Sequence, residues 1–231
     1  MTTRKTIALY TFSMGRWHYL KKCIRSALRA RQEYLGPTRH IICLQGVAPP
    51  EFLAEFGEQI EIIHWAQNCG IAEGINRISA LLSEDIIIKM DDDCEIVSGR
   101  FLTHVAEIAT LCPKLVFSPF PVGLINNLGG VLSQQRSVIY SERLDTYYTL
   151  RAVPHVGGFC RISPRLTTEW KLQPDLGIPG VSGNEDIQFS TLCGQNGIQM
   201  AYLENAIIVE HQESTLGQHA RYGEAYFGDR F

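Results

Sequence analysis

The chain alternates short apolar runs with longer stretches in which apolar positions recur at helical spacing. Residues 5–11 (Lys-Thr-Ile-Ala-Leu-Tyr-Thr) read as a buried strand, with Phe12-Ser13-Met14-Gly15 as the loop after it. Across residues 16–31, Leu20, Cys23, Ile24, Ala27 and Leu28 return every three or four positions, with Lys21, Lys22, Arg25 and Arg29 between them. That pattern predicts an amphipathic helix ending near Gly36-Pro37. Residues 39–44 form a second predicted strand, residues 51–56 a short helix behind Pro49-Pro50, and residues 60–65 a third strand. Strand, helix, strand, helix, strand is the arithmetic of a parallel α/β sheet.

A helix with Ile71, Ile75, Ile78 and Leu82 on one stripe comes next, opened by glycines at Gly70 and Gly74. Free backbone amides at such a start accept an anion; a glycine-eased turn into an ordinary helix is the alternative. Then Ile86-Ile87-Ile88-Lys89-Met90 stops in Asp91-Asp92-Asp93. A β-branched run this continuous fits a strand covered on both faces. Its carboxyl end opens onto the crevice where α/β proteins place ligands. Three adjacent carboxylates repel unless a cation or water relieves them, and a hard divalent ion completed by phosphate oxygens suits them. A solvated acidic turn is the plainer alternative.

The second half reads as a helix over 101–111, a short strand over 115–118, and an irregular loop or small hairpin over 119–136. Strand-like residues follow at 138–153, then an inner strand at 155–162 entered through Gly157-Gly158. A Pro- and Gly-rich segment over 170–183 leads to a helix beginning at Asn184-Glu185-Asp186, with Gly194 and Gly197 ending it. Residues 199–210 return to strand character and close on His211, and the last twenty residues form a polar-aromatic tail.

Composition narrows the classes. At 231 residues the chain suits one α/β domain. A net charge of −3 from 21 basic and 24 acidic residues provides no field for a polyanion, so no nucleic acid polymer is expected. Seven cysteines, odd in number and never spaced Cys-x-x-Cys, suggest reduced thiols and a cytoplasmic protein. The N-terminus lacks a signal peptide's long apolar region, and no stretch approaches 18 apolar residues, so no membrane span is expected.

Taken together, from about Thr6 to His211, the chain resembles the GT-A glycosyltransferases, in particular the large inverting family 2-like group that uses nucleotide-diphospho-sugars. Asn68-x-Gly70-x-Ala72-x-Gly74-x-Asn76 is similar to that family's donor-site segment. Asp91-Asp92-Asp93 resembles its Asp-x-Asp, Gly157-Gly158 its acceptor-side glycines, and Glu185-Asp186 its helix-opening pair. The resemblance implies a single GT-A domain, a Rossmann-like, mixed but mostly parallel sheet flanked by helices. Residues 1–98 would form the nucleotide-sugar half, and residues 99–231 the acceptor half and tail.

It further implies that Asp91 and Asp93 hold Mn²⁺ or Mg²⁺ on the donor diphosphate, with His211 as a third ligand. Asp92 would touch donor sugar or ribose. Tyr10, Thr11, Asn68, Gly70, Gly74, Asn76 and Gly158 would line the donor, and Asp186, with Glu185 beside it, would be the catalytic base of an inverting transfer to an acceptor hydroxyl. Helix capping by Glu185 and Asp186, and an ordinary hydrogen-bonded histidine at 211, are the plainer alternatives. Gln45-Gly46 stands where the family usually carries acids that read the base or ribose, so the donor base is open, as is the acceptor. Arg16 and Arg77 are either phosphate contacts or surface charges. Trp17, Tyr147, Trp170 and Tyr222 are assigned to no site, and His18, His64, His155 and His219 are read as structural.

Rival functions are a metal-dependent phosphohydrolase, which usually carries an Asp-x-Asp-x-Thr/Val motif absent here, and a catalytically silent nucleotide-sugar-binding protein. A sugar-nucleotide pyrophosphorylase would need a Gly-rich, Arg-bearing loop after the first strand that is also missing.

Overall fold

The computed structural model describes residues 4–120, 122, 135–156, 159–173 and 184–212. Eleven strands and four α-helices are laid out in chain order as β1 (Ile7–Ser13), α1 (Trp17–Gln32), β2 (Thr38–Gln45), β3 (Glu61–Trp65), α2 (Ile71–Ser79), β4 (Ile86–Met90), β5 (Cys94–Ile96), α3 (Phe101–Leu111), β6 (Leu115–Pro119), β7 (Arg136–Ser141), β8 (Thr146–Ala152), β9 (Cys160–Pro164), α4 (Asn184–Gln195), β10 (Gln199–Leu203) and β11 (Val209–His211). Nine strands form one sheet in the order β3-β2-β1-β4-β9-β6-β10-β8-β7. The strands β3, β2, β1, β4, β6, β10 and β7 run one way, and only β9 and β8 run against them. This is the mixed, mostly parallel sheet expected from the sequence.

Burial explains why the inner strands are apolar throughout. Every residue of β4 is buried, because helices cover both faces of the sheet. Along β2, Ile42 and Leu44 meet Leu20 and Ile24 of α1, whereas Ile41 and Cys43 meet Ile78 and Leu82 at the other face. Alternate residues of one strand therefore serve two separate helix layers. The edge strand β3 lacks that double cover and is largely exposed.

Predicted and observed elements agree for β1 to β4, α1 to α3, β6 and α4. Three differences have local causes. Residues 138–153 are a hairpin, β7 and β8, turning at Glu142-Arg143-Leu144-Asp145 with Asp145 at φ 49°. The strand character of 199–210 divides into β10 in the large sheet and β11, which pairs antiparallel with β5 in a separate two-stranded ribbon. A 3-10 turn spans Arg165–Glu169. Gly157, Gly158, most of 119–136 and 170–183, and the tail beyond 212 lie outside the described residues. Among the described residues no helix is long and apolar enough to cross a membrane.

Candidate active site

The acidic triad emerges where β4 ends, and the strand's alternation sends its members apart. Asp91, two residues beyond Lys89, turns to the α4 side and accepts a 2.7 Å hydrogen bond from Lys89 Nζ. Asp92 turns to the α1 side, where Ser13 Oγ at the end of β1 donates to its Oδ2 at 2.7 Å. Asp93 lies against His211, whose Nε2 is 3.4 Å from Asp93 Oδ2. The β5–β11 ribbon makes that meeting possible: it sets His211 opposite Cys94 in register, and Gln212 N donates to Asp93 O at 2.8 Å. Residues 118 apart in sequence are thus fastened at one point.

Arg16, the residue capping α1, closes the triad. Its guanidinium forks between Asp92 and Asp93, one terminal nitrogen on each. Sequence reasoning left Arg16 unassigned, because a basic residue at a helix start carries no sign of what its side chain reaches. Burial raises Asp92 to about 7 against the opposing pull of Arg16. Burial acts the same way on Asp93, yet its bond to His211 and the Arg16 charge outweigh it and hold that carboxyl low. Two neighbouring carboxylates are therefore driven apart in acidity by their partners.

A second layer of charge lies beneath. Lys89 on β4 stands in register between Tyr10 on β1 and Arg161 on β9, and the two cations are only 4% and 2% exposed. Buried cations require partners. Arg161 donates to Asp186 Oδ1 at 3.1 Å and stacks 3.7 Å from the Phe189 ring centroid, both on α4. Asp91, Asp186 and Glu185 raise the pKa of Lys89 although its burial opposes them. Burial, then the charge of Asp186, raises Glu185, whose Oε2 has no hydrogen-bond partner among the described residues. A carboxylate of the triad and the pair opening α4 thus share one pair of buried cations. Neither Lys89 nor Arg161 was singled out from sequence, although a lysine inside an otherwise apolar buried strand is itself a signal.

The loop into α2 is built on side-chain clasps. Asn68 Oδ1 accepts from Gly70 N at 2.9 Å, and Gly70 enters the helix at φ 78°, a conformation that favours glycine. Gln45, which stands where the family usually carries an acid, is buried and accepts from Cys69 N at 3.1 Å, so it braces this loop. Gly74 is packing-driven as well: a Cβ there would sit 3.0 Å from Gln45 Nε2 and 3.0 Å from the Phe12 ring. Asn76 spends both amide atoms on Leu172, donating to its carbonyl at 2.7 Å and accepting from its N–H at 2.8 Å. Tyr10 and Thr11 turn their side chains inward, Thr11 meeting Cys23 Sγ at 3.8 Å. Arg77 pairs with Glu73 and lies over Trp65, and Trp170 packs on Phe189.

Carboxylates and an imidazole are suitable donors for Mn²⁺ or Mg²⁺, although among the described residues no three such side chains are already assembled as a cage. Such ions are commonly held through one or two carboxylates and completed by substrate phosphates. The donor set fits that arrangement.

A family model described as Glycosyl transferase family 2 matches residues 10–165. The chain belongs to that family. This family 2 glycosyltransferase has the GT-A fold, as three solved structures with low sequence identity show. S. aureus TarS 1-349 aligns with a TM-score of 0.65 at 10% identity, covering 96% of this chain and 62% of that one. The mannosyltransferase PcManGT from Pyrobaculum calidifontis, in complex with GDP-Man and Mn²⁺, gives 0.64 at 13% identity, covering 95% and 60%. TarS 1-349 in complex with UDP-GlcNAc gives 0.61 at 10% identity, covering 91% and 58%. The chain therefore spans less than two thirds of the length of each of these structures. No curated protein matches the sequence.

Proposed function

We propose that this glycosyltransferase moves one sugar from a nucleotide-diphospho-sugar to an acceptor hydroxyl with inversion, using Asp186 as the base. The single observation that carries the reading is the placing of Asp186 and Asp91 on one pair of buried cations, Arg161 and Lys89, at the end of β4. Both carboxylates are thereby fastened by a buried cation near the end of β4. The family model and the neighbours bound to GDP-Man and UDP-GlcNAc support a nucleotide-sugar donor.

Asp91 and Asp93, with His211 behind Asp93, would hold Mn²⁺ or Mg²⁺, which when bound supplies Lewis-acid stabilisation of the departing diphosphate. Residues 1–98 would serve the donor, with the loop braced by Asn68 and Gln45 shaping its site, and residues 99–231 the acceptor. Asp186 would take the acceptor proton as the hydroxyl attacks the anomeric carbon, a step worth about 10²–10⁴ in rate. Arg161 orients that carboxylate through their 3.1 Å contact. Asp92, held by the 2.7 Å bond from Ser13, would touch the donor sugar or ribose.

The test is Asp186→Asn. Transfer should fall by about 10² or more, while affinity for nucleoside diphosphate and Mn²⁺ stays close to that of the parent. Full transfer by the variant would remove Asp186 from the role.

A further inference from the structure

The guanidinium of Arg16 occupies ground that a divalent ion would need. It contacts Asp93 Oδ2, the same oxygen that faces His211 Nε2, and spans to Asp92 Oδ1. We propose that Arg16 is an internal counter-ion of the triad, displaced when a divalent cation binds and drawn onto the diphosphate of an incoming nucleotide, so that cation and nucleotide bind cooperatively. This rests on the donor-site reading above.

Two features single out Arg16 among the site's cations, and a third, shared with Arg161, sets what can move it. Its side chain is 28% exposed and sits at the mouth, whereas Lys89 and Arg161 are enclosed and cannot leave. It stands at the junction of loop and helix, after Gly15 at φ 119° and with a ψ of 62°, outside the helix proper, so its side chain can swing without unwinding α1. Finally, a guanidinium stays charged at every working pH, so it leaves the carboxylates only for another anion or against another cation. A diphosphate provides that anion, since the planar fork pairs with two phosphate oxygens as it does with two carboxylates. Asp93 is then free for the ion.

Linkage makes the coupling reciprocal: whatever nucleotide does to cation affinity, cation does to nucleotide affinity. In the parent, Mn²⁺ alone competes with a unit charge already in contact with its ligand. Arg16→Gln removes that charge and should tighten Mn²⁺ binding by at least about tenfold in the absence of nucleotide. Arg16→Lys, which reaches one carboxylate instead of two, should fall between.

The experiment counts unbound Mn²⁺ by electron paramagnetic resonance for parent, Arg16→Gln and Arg16→Lys, first without nucleotide and then with UDP and with GDP. Circular dichroism checks folding. Should Arg16→Gln fail to fold, the Lys variant carries the test, with a gain of a few fold. Tighter Mn²⁺ binding in the variants, with a smaller further gain on adding nucleotide than in the parent, supports the proposal. Equal or weaker Mn²⁺ affinity in folded variants, with the parent binding Mn²⁺, overturns the counter-ion role and leaves the donor-site reading standing. Absence of Mn²⁺ binding in parent and variants alike, with and without nucleotide, overturns that reading and the proposal together.

Discussion

His40 sets an acid limit on the stability of this fold, within which any pH profile has to be interpreted. It lies buried on the α1 side of β2, and among the described residues neither ring nitrogen has a hydrogen-bond partner. Burial, helped by the nearby charge of Arg31, lowers its pKa from 6.5 to about 3. Above pH 6.5 the ring is neutral in both folded and unfolded chains and contributes no pH dependence. Between 6.5 and about 3 the unfolded chain binds a proton that the folded chain refuses, so stability falls as the pH falls. Integrating that difference gives a loss of about 2 kcal/mol by pH 5 and about 3 kcal/mol by pH 4. Replacing the ring by an apolar side chain of similar size, His40→Leu, should leave stability near its parent value at pH 7 and remove this part of the acid slope. Urea unfolding of both proteins at pH 7, 5 and 4 measures it. Parallel acid slopes would refute the reasoning and show that His40 finds a partner or solvent when charged. If the slopes diverge as expected, transfer lost below pH 5 includes a contribution from unfolding.

Other consequences follow from the same geometry. Lys89→Met strands Asp91, Glu185 and Asp186 without their shared cation. Because Asp91 keeps 35% of its side chain exposed, the cost should be about 2–3 kcal/mol in urea unfolding, below the full value for a broken buried pair; an unchanged midpoint would show that Arg161 alone neutralises the cluster. Gly74→Ala, which in an ordinary helix position would stabilise, should instead cost about 1–3 kcal/mol, because the new Cβ meets Gln45 and the Phe12 ring at 3.0 Å. A gain in stability would show that those side chains yield freely.

The sequence exposed the parts of this fold that depend on local pattern. The β4 run and its three carboxylates were legible because a strand buried on both faces leaves no room for polar residues until it ends. Helix α3 was equally plain. What stayed hidden depends on contacts distant in sequence. The family resemblance grouped His211 with Asp93, but the β5–β11 ribbon that brings them together stayed hidden, because its three-residue strands leave little periodic signal. The β7–β8 turn escaped notice because Glu142-Arg143-Leu144-Asp145 contains neither glycine nor proline. Gly74 and Asn76 matched a donor-site pattern, yet here they show packing against Phe12 and a clasp on Leu172, duties that residue identity alone does not distinguish. Lys89 and Arg161 were detectable as anomalies, charged residues flanked by apolar ones in buried strands; Lys89 finds Asp91 two residues on, but the partner of Arg161 lay on a helix more than twenty residues farther along.

If the end of β4 binds a nucleotide-sugar donor with a divalent ion, calorimetric titration with nucleoside diphosphates should register both. Uridine, guanosine, thymidine and cytidine diphosphates are each added to the purified protein with and without Mn²⁺. At least one nucleotide should bind, and Mn²⁺ should strengthen its binding. Failure of all four to bind in either condition would contradict the donor-site reading.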